Sequence, residues 1–246
     1  MHPLVRCVAG FFAVSALLVP GFGAVDLSVS WDLYWQPVIA GTWGVFFSLL
    51  VAFPFLVIAC RPAASPGAVW TLLIASASML VSAVASLELQ LAGLLLWFGL
   101  GIAVVALPSR ASWWPLVLQP HRTAALVAVV SSTPWLAYAW HMASRNRQGH
   151  PADISSGVDH YSVIAALAVA LAALAVLTTL SPVGRRQIGT NVGVCAAYLG
   201  ALSYNWPNIT ASLGRTGGIA AIVWGLLLAV WAWLPTRTPE VQTALE

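Results

Sequence analysis

Residues 68–107 read AVWTLLIASASMLVSAVASLELQLAGLLLWFGLGIAVVAL, and Glu88 is the only charged residue among them. A helix of about 20 residues crosses the hydrocarbon core of a bilayer, so this apolar run is too long for a single span. A tight hairpin that turns at Glu88, with Gln90 beside it, resolves the mismatch. The segment therefore predicts two consecutive membrane helices.

The rest of the 246-residue chain has the same character. Hydrophobic residues make up 60% of it, charged residues only 7%, and the mean hydropathy is +0.89. A soluble domain carries about 25% charged residues, so this chain lacks the polar side chains to cover a water-facing surface. We predict an all-α fold: a single transmembrane domain over residues 1–246, built as a polytopic integral membrane helix bundle with the lipid bilayer as its solvent.

Eight apolar runs are candidates for membrane spans. They lie near residues 7–25, 37–60, 68–87, 89–108, 123–142, 161–181, 191–207 and 218–235. The seventh is short and ends in polar residues, so seven spans is the alternative count. The first resembles a signal peptide but is expected to stay uncleaved as an anchor. The sixth and seventh are rich in alanine and glycine, which predicts central positions in close contact with neighbouring helices.

Arginine placement predicts the orientation. All ten basic residues are arginines, and short cytoplasmic loops accumulate positive charge. With the N-terminus inside, only Arg145, Arg147 and Arg215 fall in outer segments. We therefore expect both termini to be cytoplasmic, and we expect a prokaryotic plasma membrane as the location. The arginines are scattered singly and form no basic stripe, so nucleic acid is not an expected partner.

Polar side chains concentrate at the predicted outer ends of three spans. Tyr138 and His141 share one helical face with Arg145, at spacings i, i+3 and i+7. Asp159, a predicted helix N-cap, and His160 directly precede the sixth span. If the fifth, sixth and seventh helices are neighbours, these groups can converge. The candidate polar cluster is then His141, Asp159, His160, Tyr138 and Asn205.

Two outer loops supply secondary candidates. The loop 144–160 carries Arg145, Arg147, His150 and Asp153, and its arginines are expected to have Asp153, Asp159 or anionic lipid headgroups as partners. The loop 26–37 is acidic and aromatic. It is interpreted as an interfacial aromatic belt, or alternatively as a lid of aromatic residues over a cavity, with Asp32 reaching inward.

The chemistry of these groups leaves several alternatives open. Histidine with aspartate suits a metal site or general acid–base catalysis, but there is no HExxH motif and no informative spacing. No cofactor is therefore expected, with a metal ion at His141 and His160 as the alternative. In the fifth span, Ser131, Ser132 and Thr133 precede Pro134. Their hydroxyls either satisfy a proline kink locally or line a polar cavity.

Three hypotheses about function follow. Because charged residues are absent from the middle of the spans, ion-coupled transport is disfavoured. The first hypothesis is a non-catalytic membrane protein that binds a lipid or small apolar ligand, or serves as an accessory subunit for a membrane-protein partner, with a polar mouth on the extracytoplasmic side. The second is a hydrolase or transferase that acts on outer-leaflet lipids with the His/Asp cluster. The third is a facilitator for a neutral solute.

Overall fold

The computed structural model describes residues 3–61, 66–106, 121–149, 154–155 and 158–235. The α-helices in these ranges are α1 (Pro3–Leu17), α2 (Gly23–Val29), α3 (Pro37–Val45), α4 (Phe53–Cys60), α5 (Pro66–Ser86), α6 (Leu89–Ala106), α7 (Arg122–Gln148), α8 (Tyr161–Leu180), α9 (Arg185–Asn205) and α10 (Gly214–Trp233). A 3-10 turn (Leu33–Trp35) precedes α3, and a π-helical stretch (Phe46–Ala52) joins α3 to α4. Two short strands, β1 (Ile154–Ser155) and β2 (Val158–Asp159), pair antiparallel before α8.

Four helical segments of the described chain are long and apolar enough to cross a membrane. They are the continuous helix Pro37–Cys60, α5, α8 and α10, and the shorter apolar helices are Pro3–Leu17 and Leu89–Val105. The helical architecture and these four segments agree with the predicted helical membrane protein. The count of eight spans and the cytoplasmic termini stay predictions.

The alanine-rich helix α8 lies at the centre of the bundle. Of its most apolar window, 72% is buried inside the protein, against 22% for α10. It packs on α5, α7, α9 and α3. Alanine has almost no side chain to hold neighbouring backbones apart, so several helices approach α8 closely. The central position predicted from its composition is therefore observed.

Helices α9 and α10 meet along a seam of small residues. A Cβ atom added at Gly193 would lie 2.5 Å from the carbonyl oxygen of Gly225, and one added at Gly200 would lie 2.5 Å from that of Gly218. The two backbones are therefore in direct contact at two levels. Such close approach is the main source of helix association in lipid, where apolar burial gives little driving force.

The first helix differs from its predicted bounds. It ends at Leu17 rather than near residue 25. Pro20 cannot donate the backbone hydrogen bond that would continue the helix, and Phe22 takes up a left-handed conformation with φ 52°. The chain then starts the short helix α2, which contains Asp26. An acid predicted to lie in a loop is thus fixed on a helix.

The start of α8 also differs from the prediction. His160 is the N-cap residue, and Asp159, the predicted N-cap, lies on β2 with its backbone paired to Ile154. The prediction for Asp159 is therefore wrong. A side chain from another helix takes over the role, because Oδ1 of the buried Asn146 on α7 accepts a hydrogen bond of 3.0 Å from the backbone N–H of Ser162.

Candidate ligand pocket

A cavity of about 670 Å³ lies at the end of the bundle where the chain passes from α1 to α2, from α5 to α6 and into α8. We call it the Asp26 pocket. Most of its wall is apolar or aromatic, and its polar side chains come from all three of these passages. Its lining residues are Pro20, Phe22, Val25, Asp26, Trp35, Trp43, Glu88, Gln90, Leu91, Gly93, Leu94, Trp97, His160, Ser162 and Val163.

Three tryptophans line the Asp26 pocket, and two of them are anchored by hydrogen bonds. Nε1 of Trp43 donates to the carbonyl oxygen of Gly21 at 2.6 Å, and Nε1 of Trp97 donates to Oγ of Ser15 at 2.8 Å. An indole N–H that is already bonded fixes the orientation of its ring. Trp43 and Trp97 therefore form rigid aromatic walls. Trp35, which is 54% exposed, stands at the rim.

The charged groups of the Asp26 pocket are acidic. Asp26 and Glu88 both line it, whereas none of the lining residues that the structure describes is an arginine. Glu88 caps its own helix, since Oε1 accepts a hydrogen bond of 3.0 Å from the backbone N–H of Gln90. Burial raises the pKa of Asp26 to about 7, because a partly desolvated carboxylate is less stable than the neutral acid. A bound cation would therefore stabilise the ionised form of Asp26 against the neutral acid.

His160 also lines the Asp26 pocket. Its imidazole packs edge-to-face on the indole of Trp43, with the ring centroids 5.1 Å apart. Burial lowers the pKa of His160, because the imidazolium form loses its hydration in this position. The imidazole is therefore neutral at neutral pH and does not offset the acidic character of the pocket.

The predicted polar cluster is divided among several places. Only His160, of the predicted residues whose side chains the structure describes, lines the Asp26 pocket. Tyr138 donates a hydrogen bond of 2.5 Å to the carbonyl oxygen of Ala211, while His141 is exposed on α7. Asn205 is exposed and donates to Ala201 of its own helix at 2.8 Å. The side chain of Asp159 lies outside the described part of the chain.

The secondary candidates have structural contacts of other kinds. Asp32 is exposed, and Oδ1 accepts a hydrogen bond of 3.0 Å from the backbone N–H of Tyr34, so its side chain turns back on its own loop. His150 and Asp153 lie outside the described residues.

The two arginines of the predicted outer loop are instead on α7, which continues to Gln148. Arg145 lies over the ring of Tyr161 at 5.2 Å. Arg147 donates to the carbonyl oxygen of Ala85 and to Oγ of Ser144, and it lies over the ring of Trp140 at 5.0 Å. Aromatic rings, the carbonyl oxygen of Ala85 and the hydroxyl of Ser144 are therefore partners that the structure gives these arginines.

The hydroxyls before Pro134 are engaged with the backbone. Oγ of Ser131 and Oγ of Ser132 both donate to the carbonyl oxygen of Ala128, at 3.2 and 2.6 Å, and Ser132 also donates to Ala172 at 3.3 Å. Ser131 borders an apolar cleft of about 530 Å³ whose lining comes mainly from α7 and α10. The carbonyl that Pro134 leaves without its helical donor is that of Val130, whereas these bonds go to Ala128 and Ala172, so both interpretations of this stretch stay predictions.

The described residues contain no cluster of side chains that would support metal binding. No group of three histidine, cysteine, aspartate or glutamate side chains there is close enough to hold a metal ion. Asp26, Glu88 and His160 share one cavity without forming such a group. The arrangement suits a ligand large enough to reach separate points of the wall.

The sequence pattern indicated Asp32 and not Asp26 as a candidate, although both lie in the same acidic segment. Phe22, Val25 and Asp26 follow one another at the spacing of a helical face and line the pocket together. That spacing was the available signal, but a helix of seven residues is too short for periodicity to identify. Neither a protein-family model, nor a curated protein, nor a solved structure matches this chain.

Proposed function

We propose that this protein is a membrane-embedded binding protein for a lipid or another small amphiphilic molecule. The observation that carries the proposal is the Asp26 pocket, whose volume of about 670 Å³ lies in the range of small-molecule sites. Its wall combines apolar surface with a few polar groups, which is the usual composition of such sites. The proposal includes eight spans, cytoplasmic termini in a prokaryotic plasma membrane, and a pocket that opens on the extracytoplasmic side.

The distribution of polarity in the pocket supports an amphiphilic ligand. Leu91, Leu94 and Val163 supply apolar surface, while Asp26 and Glu88 supply charge. A ligand with one polar end and one apolar part satisfies both regions. Burial of the apolar part would contribute about 25 cal/mol per Å² of surface removed from water.

A glycine on α6 allows a direct test. Gly93 lines the pocket, and a Cβ atom at this position would meet no atom within 4 Å. The variant Gly93→Phe should therefore fill the pocket without disturbing the helix packing. Gly99 on the same helix has equally open surroundings and does not line the pocket, so Gly99→Phe is the matched control.

The measurement is native mass spectrometry of the protein extracted gently from membranes. We expect the wild type and Gly99→Phe to retain a bound small molecule or lipid. Gly93→Phe should lose at least about nine-tenths of this ligand, because the phenyl ring would occupy the space that the ligand needs. Equal retention by all three proteins, or retention by none, would contradict the proposal.

A further inference from the structure

We infer that the Asp26 pocket selects ligands that carry an organic ammonium group attached to an apolar part. This inference rests on the binding function proposed above and names the class of ligand. The group would lie between the carboxylates and the tryptophan rings, with the apolar part against Leu91 and Leu94. Both a lipid headgroup and a soluble amine carry this chemistry.

The charge of the wall is the first support. Within the described part of the chain, the lining residues include two carboxylates, Asp26 and Glu88, and no arginine. A phosphate or carboxylate ligand would be repelled by this wall. A cation placed between the two acids is attracted by both, and the attraction is stronger in a partly desolvated site than in water.

The aromatic surface is the second support. Trp43 and Trp97 both line the pocket, and hydrogen bonds from their own N–H groups fix the orientation of their rings. Tryptophan is the aromatic side chain that attracts cations most strongly, and groups of such rings together with carboxylates recognise quaternary ammonium ions. Trp35 at the rim adds a third ring.

The size of the cavity and the absence of a three-ligand cluster among the described residues favour an organic cation over a metal ion. A metal ion needs several ligands that meet at one point, and the described residues offer no such group of three. A cavity of about 670 Å³ is also much larger than one ion requires. A bulky organic cation meets the acids and the rings at separate points, and the apolar wall accommodates its remaining atoms.

The first experiment compares two soluble probes of the same shape. Choline and 3,3-dimethylbutan-1-ol differ chiefly in the positive charge, since a carbon atom replaces the nitrogen. Titration calorimetry on the full chain in phosphatidylglycerol nanodiscs should give choline an affinity at least about tenfold higher, the factor that one or two cation–π and charge contacts supply. Equal affinities for the two probes would overturn the inference.

Variants assign the preference to the pocket. Asp26→Asn keeps the shape of the side chain and removes its charge, so choline binding should weaken by about tenfold while binding of the neutral alcohol stays unchanged. Asp32→Asn is the matched control, because Asp32 is exposed in the adjoining loop and does not line the pocket. An unchanged choline affinity in Asp26→Asn, with the fold intact by circular dichroism, would overturn the inference.

A second experiment, with lipids as the ligands, distinguishes a lipid headgroup from a soluble amine as the source of the ammonium group. In nanodiscs of mixed phosphatidylethanolamine and phosphatidylglycerol, a headgroup ligand would be seen by native mass spectrometry as phosphatidylethanolamine retained by the wild type and lost from Asp26→Asn. Choline binding without that retention would indicate a soluble amine. If the wild type instead retains an anionic or neutral lipid that Gly93→Phe excludes, the ammonium preference fails while the binding function stands. If nothing binds, both fail.

Discussion

The imidazole of His160 packs edge-to-face on the indole of Trp43, and the N–H of the same indole donates to the carbonyl oxygen of Gly21. These contacts join the start of α8, the helix α3 and the turn between α1 and α2. Asp26 follows that turn on the short helix α2. The relative position of the carboxylate and the aromatic wall is therefore set by the fold before any ligand arrives, which lowers the ordering cost of binding.

Cation binding in the Asp26 pocket should depend on pH. The pKa of Asp26 is raised to about 7, so its carboxylate forms only as the pH rises through that value. We expect choline affinity to increase about tenfold between pH 5.5 and 8.5, as measured by titration calorimetry. The other titratable groups that face the pocket are Glu88 and His160. Protonation of His160, whose pKa is lowered by burial, would weaken cation binding further at lower pH.

Two variants identify the group responsible for this pH dependence. Asp26→Asn should abolish the step near pH 7 and leave a weak affinity at all pH values. His160→Phe should keep the step, because the step arises from Asp26, while burial lowers the pKa of His160 away from pH 7. A wild-type affinity that stays flat from pH 5.5 to 8.5 would show that Asp26 does not contact the cation.

The same carboxylate should influence the stability of the ligand-free protein. A pKa raised by burial means that folding favours the neutral acid, so the folded state loses stability as the pH rises from about 4 through 7. Asp26→Asn avoids this cost. We expect the variant to match the wild type at pH 4 and to be more stable at pH 8 by about 1–2 kcal/mol, since contact with water screens part of the effect. Unfolding in detergent at both pH values measures the difference.

The sequence predicted the features that depend on composition along one helix. The lone Glu88 in a long apolar run predicted a turn, and the structure separates α5 from α6 at Leu87 and Glu88. The alanine content of residues 161–181 predicted a central helix, and α8 is the most buried of the four long apolar segments. Both features follow from local length and side-chain volume, which one sequence contains.

The predicted candidate site depends on which distant segments of the chain pack together. The sequence alone did not predict these contacts. Tyr138 and His141 share a face of α7 as predicted, yet neither lines the pocket that contains His160. The choice between Asp26 and Asp32 depended on whether a seven-residue helix forms after Pro20. The capping of α8 by Asn146 joins residues on different helices. Side-chain spacing within one segment carries no information about such pairings.

Replacement of Asn146 should destabilise the bundle. Its Oδ1 accepts the hydrogen bond from Ser162, and its Nδ2 donates to the carbonyl oxygen of Ser86 at 3.4 Å, so one buried amide connects α5, α7 and α8. Asn146→Leu removes these bonds within the protein interior. We expect a loss of about 1–3 kcal/mol in the free energy of unfolding, the usual cost of removing a buried hydrogen-bonding partner.

Asn205 provides the comparison for Asn146. It is an exposed asparagine whose amide bonds only to its own helix in the contacts that the structure gives, at Ala201. Asn205→Leu should therefore change the free energy of unfolding by less than about 0.5 kcal/mol. Equal effects of the two substitutions in urea or thermal unfolding would show that the buried amide does not stabilise the start of α8.

The contact between α9 and α10 should be sensitive to the volume of one side chain. A side chain at Gly193 would collide with the backbone of Gly225 and with Ala229, so Gly193→Leu must separate the two helices. Overpacking of this kind costs about 1–3 kcal/mol or more. Gly99→Leu adds the same volume at a position with no atom within 4 Å and should be tolerated. Detergent-solubilised yield and melting temperature distinguish the two variants.

The predicted orientation can be tested with single cysteines on the two sides of the first long apolar segment. Cys60 is exposed at the end of α4, beside the α1 residue Arg6, whose Nε donates to the carbonyl oxygen of Ala59 at 2.8 Å. Tyr34, 81% exposed, lies just before the start of the same helical segment. Arginines near Cys60 predict a cytoplasmic location for it, and Tyr34 should then face the extracytoplasmic side.

A membrane-impermeant maleimide applied to intact cells reports the two positions. With Cys7 replaced by serine, Tyr34→Cys in a Cys60→Ser background should be labelled at once, whereas Cys60 alone should be labelled only after permeabilisation. Cys195 is buried and serves as the unreactive reference in both proteins. Labelling of Cys60 but not of Tyr34→Cys in intact cells would invert the topology and turn the Asp26 pocket toward the cytoplasm. Labelling of both would mean that residues 37–60 do not cross the membrane.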